Sequence, residues 1–312
     1  MKYLFGPVNS RRLGRSLGVD LVPIKTCSLN CIYCECGETT NCTDAIAEYV
    51  PTAEVVDELR ECLQACPLLD VITFSGFGEP TLHSGLGEIV AFLRREFPEY
   101  RVALLTNATR FDDPDVRRAV LAIDVIIPSL DAAGEDAFRK IARPAPGITA
   151  KRIIRGLVEL RREYRGEMIL ELFIVSGIND TEDELKKLKE AIAMIGPDRV
   201  HLNTLDRPGA VEWIQPAPMD RLRFVADFLA PYPDEIVGKP AHAGPVRPAG
   251  GDVANTIVAT VARRPSTLED LSSALGLPAA DVNRTVTRLM NDGVLEKRQS
   301  GRGNFYCLRE RT

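Results

Sequence analysis

Short runs of apolar, largely β-branched residues recur through the chain at Leu17–Ile24, Val71–Ser75, Arg101–Thr106, Asp124–Leu130, Met168–Val175 and Arg199–Leu205. Each predicts a strand. Between most of them the apolar positions change to helical spacing. Along 52–66, Val55, Leu59, Cys62 and Cys66 step by four, three and four, with Thr52 placed to cap the helix. Along 181–195, Leu185, Leu188, Ile192 and Ile195 form a similar face, capped by Asp180 and stopped by Gly196 and Pro197. Strands alternating with helices predict a parallel sheet, either doubly wound or closed as a (β/α) barrel.

The rhythm breaks at PAHAGPVRPAGG, Pro240 to Gly251, whose prolines and glycines read as a linker over 240–251. This divides the chain into a first region, 1–239, and a second, 252–312. The second has helical patterns at 252–263, 267–275 and 279–292, then two short strand patterns at Val294–Gln299 and Asn304–Leu308 around a GRG turn. Three helices and a hairpin in this order predict a winged helix-turn-helix.

Polar residues cluster where the predicted strands end. Lys25 and a group of cysteines follow the first strand; Gly76, Gly78 and Glu79 follow the second, and Asn107 the third. Ser129 and Asp131 close the fourth, Asn179 and Asp180 follow the fifth, and Asn203, Thr204, Asp206 and Arg207 close the sixth. The C-terminal ends of parallel strands are where α/β enzymes place their sites. One polar turn would carry little weight, since turns are polar for structural reasons too; six in register indicate function.

Composition adds compartment and partner. The 312 residues are 45 % hydrophobic and 27 % charged, as in a globular soluble protein. The opening MKYLFGPVNS has no long apolar run, and no stretch approaches the ~20 apolar residues of a membrane span. The expected location is the cytoplasm, where thiols stay reduced. The net charge of −5 argues against bulk nonspecific nucleic-acid binding. From Asp252 onward nine Lys or Arg face seven Asp or Glu, a net +2, which leaves −7 on the preceding 251 residues. Arg284 and Arg288 lie one turn apart on the expected recognition helix, and Lys297, Arg298 and Arg302 populate the wing, so either a nucleic acid or a protein fits as its partner.

The chemistry concentrates in KTCSLNCIYCECG, Lys25 to Gly37. Cys27, Cys31 and Cys34 are spaced C-x₃-C-x₂-C. Structural zinc takes four ligands, usually in two pairs, whereas iron–sulfur clusters take thiolates. Three thiolates would leave one iron open, with Cys36 and Cys42 the nearest candidates for a fourth ligand. These two read as unligated loop thiols, a second metal site or substrate contact being the alternative. Cys62, Cys66 and Cys307 read as core. His83 and His201 read as hydrogen-bonded structural histidines, with proton transfer the alternative, and His242 lies in the linker. Arg11, Arg12 and Arg15 form a basic run suited to surface ion pairs or to a substrate phosphate or carboxylate. Glu171, inside the fifth strand, would be costly to bury unpaired, so substrate or a lysine is its expected contact.

The spacing C-x₃-C-x-aromatic-C, with Tyr33 as the aromatic, together with SGFGEP at Ser75–Pro80, resembles the radical S-adenosylmethionine (SAM) superfamily. GPVNSRRLG, SGFGEPTL, TNAT, PSLDA and NTLDRPG are most similar to its branch related to the wyosine-type tRNA-modifying synthases. The resemblance spans roughly the first 240 residues and implies a partial (β/α)6 TIM-type barrel, here followed by the winged helix. It implies a [4Fe–4S] cluster held by Cys27, Cys31 and Cys34, with SAM chelating the fourth iron. Tyr33 would touch adenine; Gly76, Phe77, Gly78 and Glu79 would meet the methionine amino group. Ser129, with Asn107 and Asp131, would hold the ribose or carboxylate, and His201–Thr204, Asn203 included, would close the adenine pocket. Phe77 interrupts the superfamily's usual pair of adjacent glycines. The implied activity is reductive cleavage of SAM to a 5′-deoxyadenosyl radical that modifies a tRNA nucleotide, a peptide or a small molecule. A reductant such as flavodoxin or ferredoxin would supply the electron. The alternative is an iron–sulfur redox sensor that binds DNA through its winged helix; the SGFGEP turn separates the two, since a sensor has no use for a methionine-binding strand end.

Overall fold

The structure is a computed structural model that describes residues 2–10, 12–65, 67–237, 253–300 and 303–309. The expected linker, with His242, and Arg11, Cys66 and Arg302 lie outside the described residues. The elements are β1 (Leu4–Ser10), β2 (Gly14–Val19), β3 (Thr26–Cys27), β4 (Asn41–Cys42), α1 (Thr52–Gln64), β5 (Val71–Phe74), α2 (Leu86–Glu96), β6 (Val102–Thr106), α3 (Pro114–Val120), β7 (Val125–Pro128), α4 (Glu135–Ala142), α5 (Ala150–Glu163), β8 (Glu167–Phe173), α6 (Glu182–Ile195), β9 (Arg199–Asn203), α7 (Met219–Leu229) and β10 (Pro233–Ile236). An eight-stranded sheet runs β1-β2-β5-β6-β7-β8-β9-β10. Every neighbouring pair is parallel except β1 with β2.

The six expected strands are all present, the first displaced. Its strand is Gly14–Val19, and the apolar residues Leu21–Ile24 lead into the cysteine loop instead. β1 and β10 were not predicted: Gly6-Pro7 interrupts any alternation in β1, and β10 is the short polar run PDEI. Two helix starts also differ. α1 begins at Thr52 with Pro51 at the cap, while the Thr52 N–H donates to Glu48 Oε1. The α6 cap is Thr181, because Asp180 is occupied by Arg221 and the Gly177 N–H.

Alternation along the strands sorts two layers. Ile72, Phe74, Val102, Leu104, Ile126, Met168, Leu170, Leu172, Val200 and Leu202 pack in the main core with α1, α2, α5, α6 and α7. Burying that face supplies most of the stability, at about 25 cal/mol per Å² of apolar surface. Val71, Ala103, Val125, Ile127 and Ile169 form a smaller cluster on the other face, with Leu13 and Leu105 against it. On this second face Arg12, in the turn between β1 and β2, forms an ion pair with Glu171 of β8. A contact between the first hairpin and the sixth strand in sheet order requires the sheet to curl.

This pair answers what Glu171 does: it is charge-matched, in a pair whose facing atoms are shielded from solvent, with side-chain exposures of 12 % for Arg12 and 14 % for Glu171. Removing one partner leaves an uncompensated buried charge, whereas removing both does not. Arg12→Leu is therefore expected to lower unfolding stability by about 3–5 kcal/mol. Arg12→Leu with Glu171→Leu should recover most of that loss. Urea denaturation of the two variants checks both outcomes; a single variant as stable as the parent would show the pair to be dispensable.

The second region forms α8 (Val253–Arg263), α9 (Leu268–Leu275), α10 (Ala279–Asn291) and an antiparallel hairpin of β11 (Leu295–Ser300) and β12 (Gly303–Leu308). Its core is its own: Ile257, Val261, Leu271, Leu275, Val282, Val286, Leu289 and Leu295. Thr267 and Asp270 make a reciprocal capping box at the start of α9, and Gly276 ends it in the left-handed conformation at φ 62°. Cys307 is buried in β12 and Cys62 packs half-buried on the main core, as expected of both.

Candidate cofactor site

The cysteine loop is pinned at both ends. β3 and β4 pair in parallel, with Cys27 beside Cys42. Further on, the Asn30 and Ile32 N–H groups donate to Ala142 and Ile141 carbonyls at the end of α4, each at 2.9 Å. Tight turns then bring Cys34 N–H to Cys31 O and Gly37 N–H to Cys34 O. Lys25, at φ 63°, points its amino group to Gly37 O and lies 4.0 Å from Cys34 Sγ.

The thiols at 27, 31 and 34 feel one another. Burial pushes Cys27 up to about 12, with the Glu79 charge adding to it and Cys34 after that. Burial also holds Cys31 well above the ordinary thiol range, reinforced by Asp131, Cys27 and Cys34. Cys34 goes the other way, to about 6, because its thiolate is hydrogen-bonded by Cys36 and sits near Lys25. Thiolates are the ligands that iron–sulfur clusters take, and this loop brings three thiols within electrostatic reach of one another. Among the described residues no three His, Cys, Asp or Glu side chains converge on a single ion. That is compatible with thiolates that each take a different iron.

The glycine turn after β5 is joined to this loop by main-chain hydrogen bonds, Lys25 N–H to Phe77 O at 3.1 Å and Glu79 N–H to Thr26 O at 3.2 Å. There is no room for side chains in between. A β-carbon on Gly76, at φ +123°, would fall 1.6 Å from Asp20 Oδ1, and one on Gly78 would fall 1.8 Å from the Thr26 carbonyl. The Glu79 carboxylate is fully engaged: Oε1 accepts from Thr81 N–H, Thr81 Oγ1 and Thr106 Oγ1, and Oε2 from Asn107 N–H. Burial still pushes its carboxyl up. Glu79 thus ties the ends of β5 and β6 together, a part that local sequence did not reveal.

A cavity of about 840 Å³ opens over this junction. Of the sequence-predicted site residues it gathers Cys27, Gly76, Gly78, Glu79 and Asn107. Asn107 Nδ2 donates to Cys27 Sγ at 3.4 Å and to Ser28 Oγ at 2.9 Å. Tyr33, Ser129 and Asp131 line a separate niche with Asn107. There the Tyr33 hydroxyl donates to Asp131 Oδ2 at 2.5 Å, and its ring stacks on Phe173 at 3.9 Å. The Phe173 N–H donates to the other Asp131 oxygen. Asn203 lines neither space; it is buried and its Oδ1 accepts from the Thr204 N–H.

The histidines divide. His83 lies 2.8 Å from Val50 O through Nε2 and accepts the Gly85 N–H at Nδ1, a structural pairing. His201, 1 % exposed, makes no hydrogen bond among the described residues and faces Glu235 and Asp234 at 3.5 and 3.8 Å. Cys36 is no idle thiol: it lies 3.0 Å from the Arg263 carbonyl and 3.7 Å from that of Gly76. Cys42 is exposed. The far wall of the cavity comes from the second region, through Asn255, Thr256, Ala259, Thr260 and Arg263 of α8 and Leu275 of α9.

Half-buried thiols are thus joined by main-chain hydrogen bonds to a turn with no room for β-carbons, at the strand ends of a mostly parallel sheet. The profile of the radical SAM superfamily matches residues 21–192, and the chain belongs to that superfamily. It is an enzyme of the radical SAM class, and its cofactors are a [4Fe–4S] cluster and SAM. Among relatives it is similar to a UPF0026 protein of Methanocaldococcus jannaschii, 34 % identical over 241 residues, which are 77 % of this chain and 73 % of the relative. It is also 40 % identical over 206 residues to a protein of Brachyspira hyodysenteriae named GTPase Obg; the shared part is 66 % of this chain and only 30 % of that protein. The crystal structure of a radical SAM methyltransferase from Sphaerobacter thermophilus shares the fold, with a TM-score of 0.52 over 72 % of this chain and 66 % of that one at 20 % identity. Enzymes of the superfamily typically need an external reductant. No described helix is long and apolar enough to cross a membrane.

Proposed function

We propose that Cys27, Cys31 and Cys34 hold three irons of the [4Fe–4S] cluster and that SAM binds across the cluster and the Gly76–Glu79 turn. The observation that carries this reading is the junction itself: three mutually interacting, half-buried thiols lie on a loop bonded through Lys25 and Thr26 to a turn with no space for a β-carbon, at the head of a cavity of about 840 Å³. When bound, cluster and SAM would supply one-electron reductive cleavage chemistry, the electron coming from an external reductant. The chain's own residues bind, orient and exclude water. Gly76 and Gly78 let the backbone approach the methionine group, while Glu79 and Asn107 fix the strand ends beneath it. Tyr33, held by Asp131 and Phe173, sets the loop between the second and third cysteines. Ser129, Asp131 and Asn203 support the adenosine side through this framework.

The curled sheet is read as a partial (β/α)6 barrel over 1–239, and the unit at 252–312 as a winged helix. The cavity lies near the upper end of the about 300–1,000 Å³ of small-molecule sites, which suits SAM together with a substrate group. The substrate we favour is a tRNA nucleotide, in line with the motif likeness to the wyosine-type branch. Exposed Arg284, Arg288, Lys297 and Arg298 on α10 and β11 lie outside the cavity lining and suit phosphate contacts. Flavodoxin or ferredoxin would serve as reductant, in the cytoplasm.

Anaerobically reconstituted protein given dithionite and SAM is expected to release 5′-deoxyadenosine, measured by liquid chromatography. No 5′-deoxyadenosine, alongside tight promoter binding, would instead support an iron–sulfur regulator.

A further inference from the structure

The first helix of the second region ends on the cofactor site. Arg263, the last residue of α8, donates from Nε and Nη2 to Asp20 Oδ2 at 3.1 and 2.8 Å. Its guanidinium lies 4.5 Å from the ring centre of Phe5 and 5.0 Å from that of Phe77. The other oxygen, Asp20 Oδ1, accepts the Phe77 N–H at 3.1 Å. One carboxylate therefore joins α8 to the middle of the Gly76–Phe77–Gly78 turn. Asp20 Oδ1 is also the atom that leaves Gly76 no room for a β-carbon. The Arg263 carbonyl lies beside the Cys36 thiol, the hydrogen-bond partner of Cys34.

Asp20 is 6 % exposed, and burial pushes its carboxyl up while the Arg263 charge pulls it back. Without the guanidinium, this acid is left buried and unpaired. It then takes up a proton or turns away, and in both cases the acceptor for the Phe77 N–H is weakened. A second contact docks the same unit without touching the turn: buried Arg207 donates from Nη1 to Asp270 Oδ2 at 2.8 Å and to Pro265 O.

We infer that Arg263 is a positioning residue for SAM, acting through Asp20 to hold the Gly76–Phe77–Gly78 backbone, so that the cofactor site is complete only with the C-terminal unit in place. The inference rests on the reading of SAM at that turn. Through Arg263, docking of the unit and SAM binding are coupled, and by reciprocity SAM tightens the docking.

The test uses anaerobically reconstituted full-length protein, its SAM affinity by equilibrium dialysis with labelled SAM, and the SAM-induced change in the electron paramagnetic resonance signal of the reduced cluster. Arg263→Met is expected to retain the iron content of the parent yet bind SAM about tenfold more weakly, which is about 1.4 kcal/mol. Its SAM-induced spectral change should shrink in parallel. Arg263→Lys, which keeps the charge, should recover part of the affinity. Asp270→Asn removes one charge from the Arg207 contact and from the α9 cap but leaves Arg263 on Asp20 to keep the unit docked, so it should stay within about twofold of the parent, a change below 0.5 kcal/mol. Arg263→Met binding as tightly as the parent overturns the inference, as does Asp270→Asn matching its loss, since general docking would then explain both. A parent protein whose cluster signal ignores SAM overturns the reading of the turn itself.

Discussion

Replacing Cys31 by alanine is expected to leave a folded protein with no stable cluster and with turnover reduced at least ~10³-fold, a loss of about 4 kcal/mol in transition-state stabilisation. The two effects should come together if, as proposed, Cys27, Cys31 and Cys34 are the cluster's donor set. Cys31 is the middle one; burial, with its electrostatic coupling to Cys27 and Cys34 on either side, holds it well above the ordinary thiol range. Removing it leaves Cys27 and Cys34 without the bridge between them. The fold should survive, since the loop is held by main-chain bonds from Asn30 and Ile32 to α4 that the substitution leaves in place. Iron and sulfide analysis with far-ultraviolet circular dichroism checks both halves. Cys62→Ala is the matched control: its thiol packs against the main core on α1, so that variant should keep its iron. A full iron complement in Cys31→Ala would move the cluster to other ligands, with Cys36 and Cys42 the first to examine.

How far local sequence reaches is clear from individual residues. Central strands such as Val71–Phe74 and Val125–Pro128 are buried at every position, so an unbroken apolar run marks them. The cysteine spacing and the glycine turn are equally local, and the chemistry they carry is readable from a dozen residues. Local pattern places a cap only to within one position where neighbouring residues compete: Asp180 and Thr181 can both cap, and Arg221, 41 residues away, decides between them. The edge strand β1 escaped because Gly6-Pro7 breaks its period. What local pattern cannot supply is the set of long-range charged pairs. Arg12 meets Glu171, Arg207 meets Asp270 and Arg263 meets Asp20, the last across 243 residues. Each looks like an ordinary surface charge in sequence, and burial appears only once the sheet has curled and the second region has closed on it.

Gly78→Ala is expected to weaken SAM binding by about 10²-fold or more, about 2.7 kcal/mol, with turnover falling alongside. The reason is steric and specific. The added methyl would stand 1.8 Å from the Thr26 carbonyl oxygen, 2.8 Å from its carbon and 2.7 Å from Val22 Cγ2. That carbonyl accepts the Glu79 N–H and belongs to the residue before Cys27, so relief of the clash must pull the glycine turn and the cysteine loop apart. Main-chain atoms cannot swing aside as a flexible side chain can. Overpacking of this kind costs about 1–3 kcal/mol of stability, which urea denaturation would register. Gly147→Ala separates this effect from backbone strain. Gly147 has φ +85° but nothing within 4 Å of a β-carbon, so alanine there meets the conformational penalty alone, about 1 kcal/mol, and should leave SAM binding unchanged. If Gly78→Ala bound SAM as tightly as Gly147→Ala, the close approach of turn and loop would be incidental, and SAM would have to sit elsewhere in the cavity.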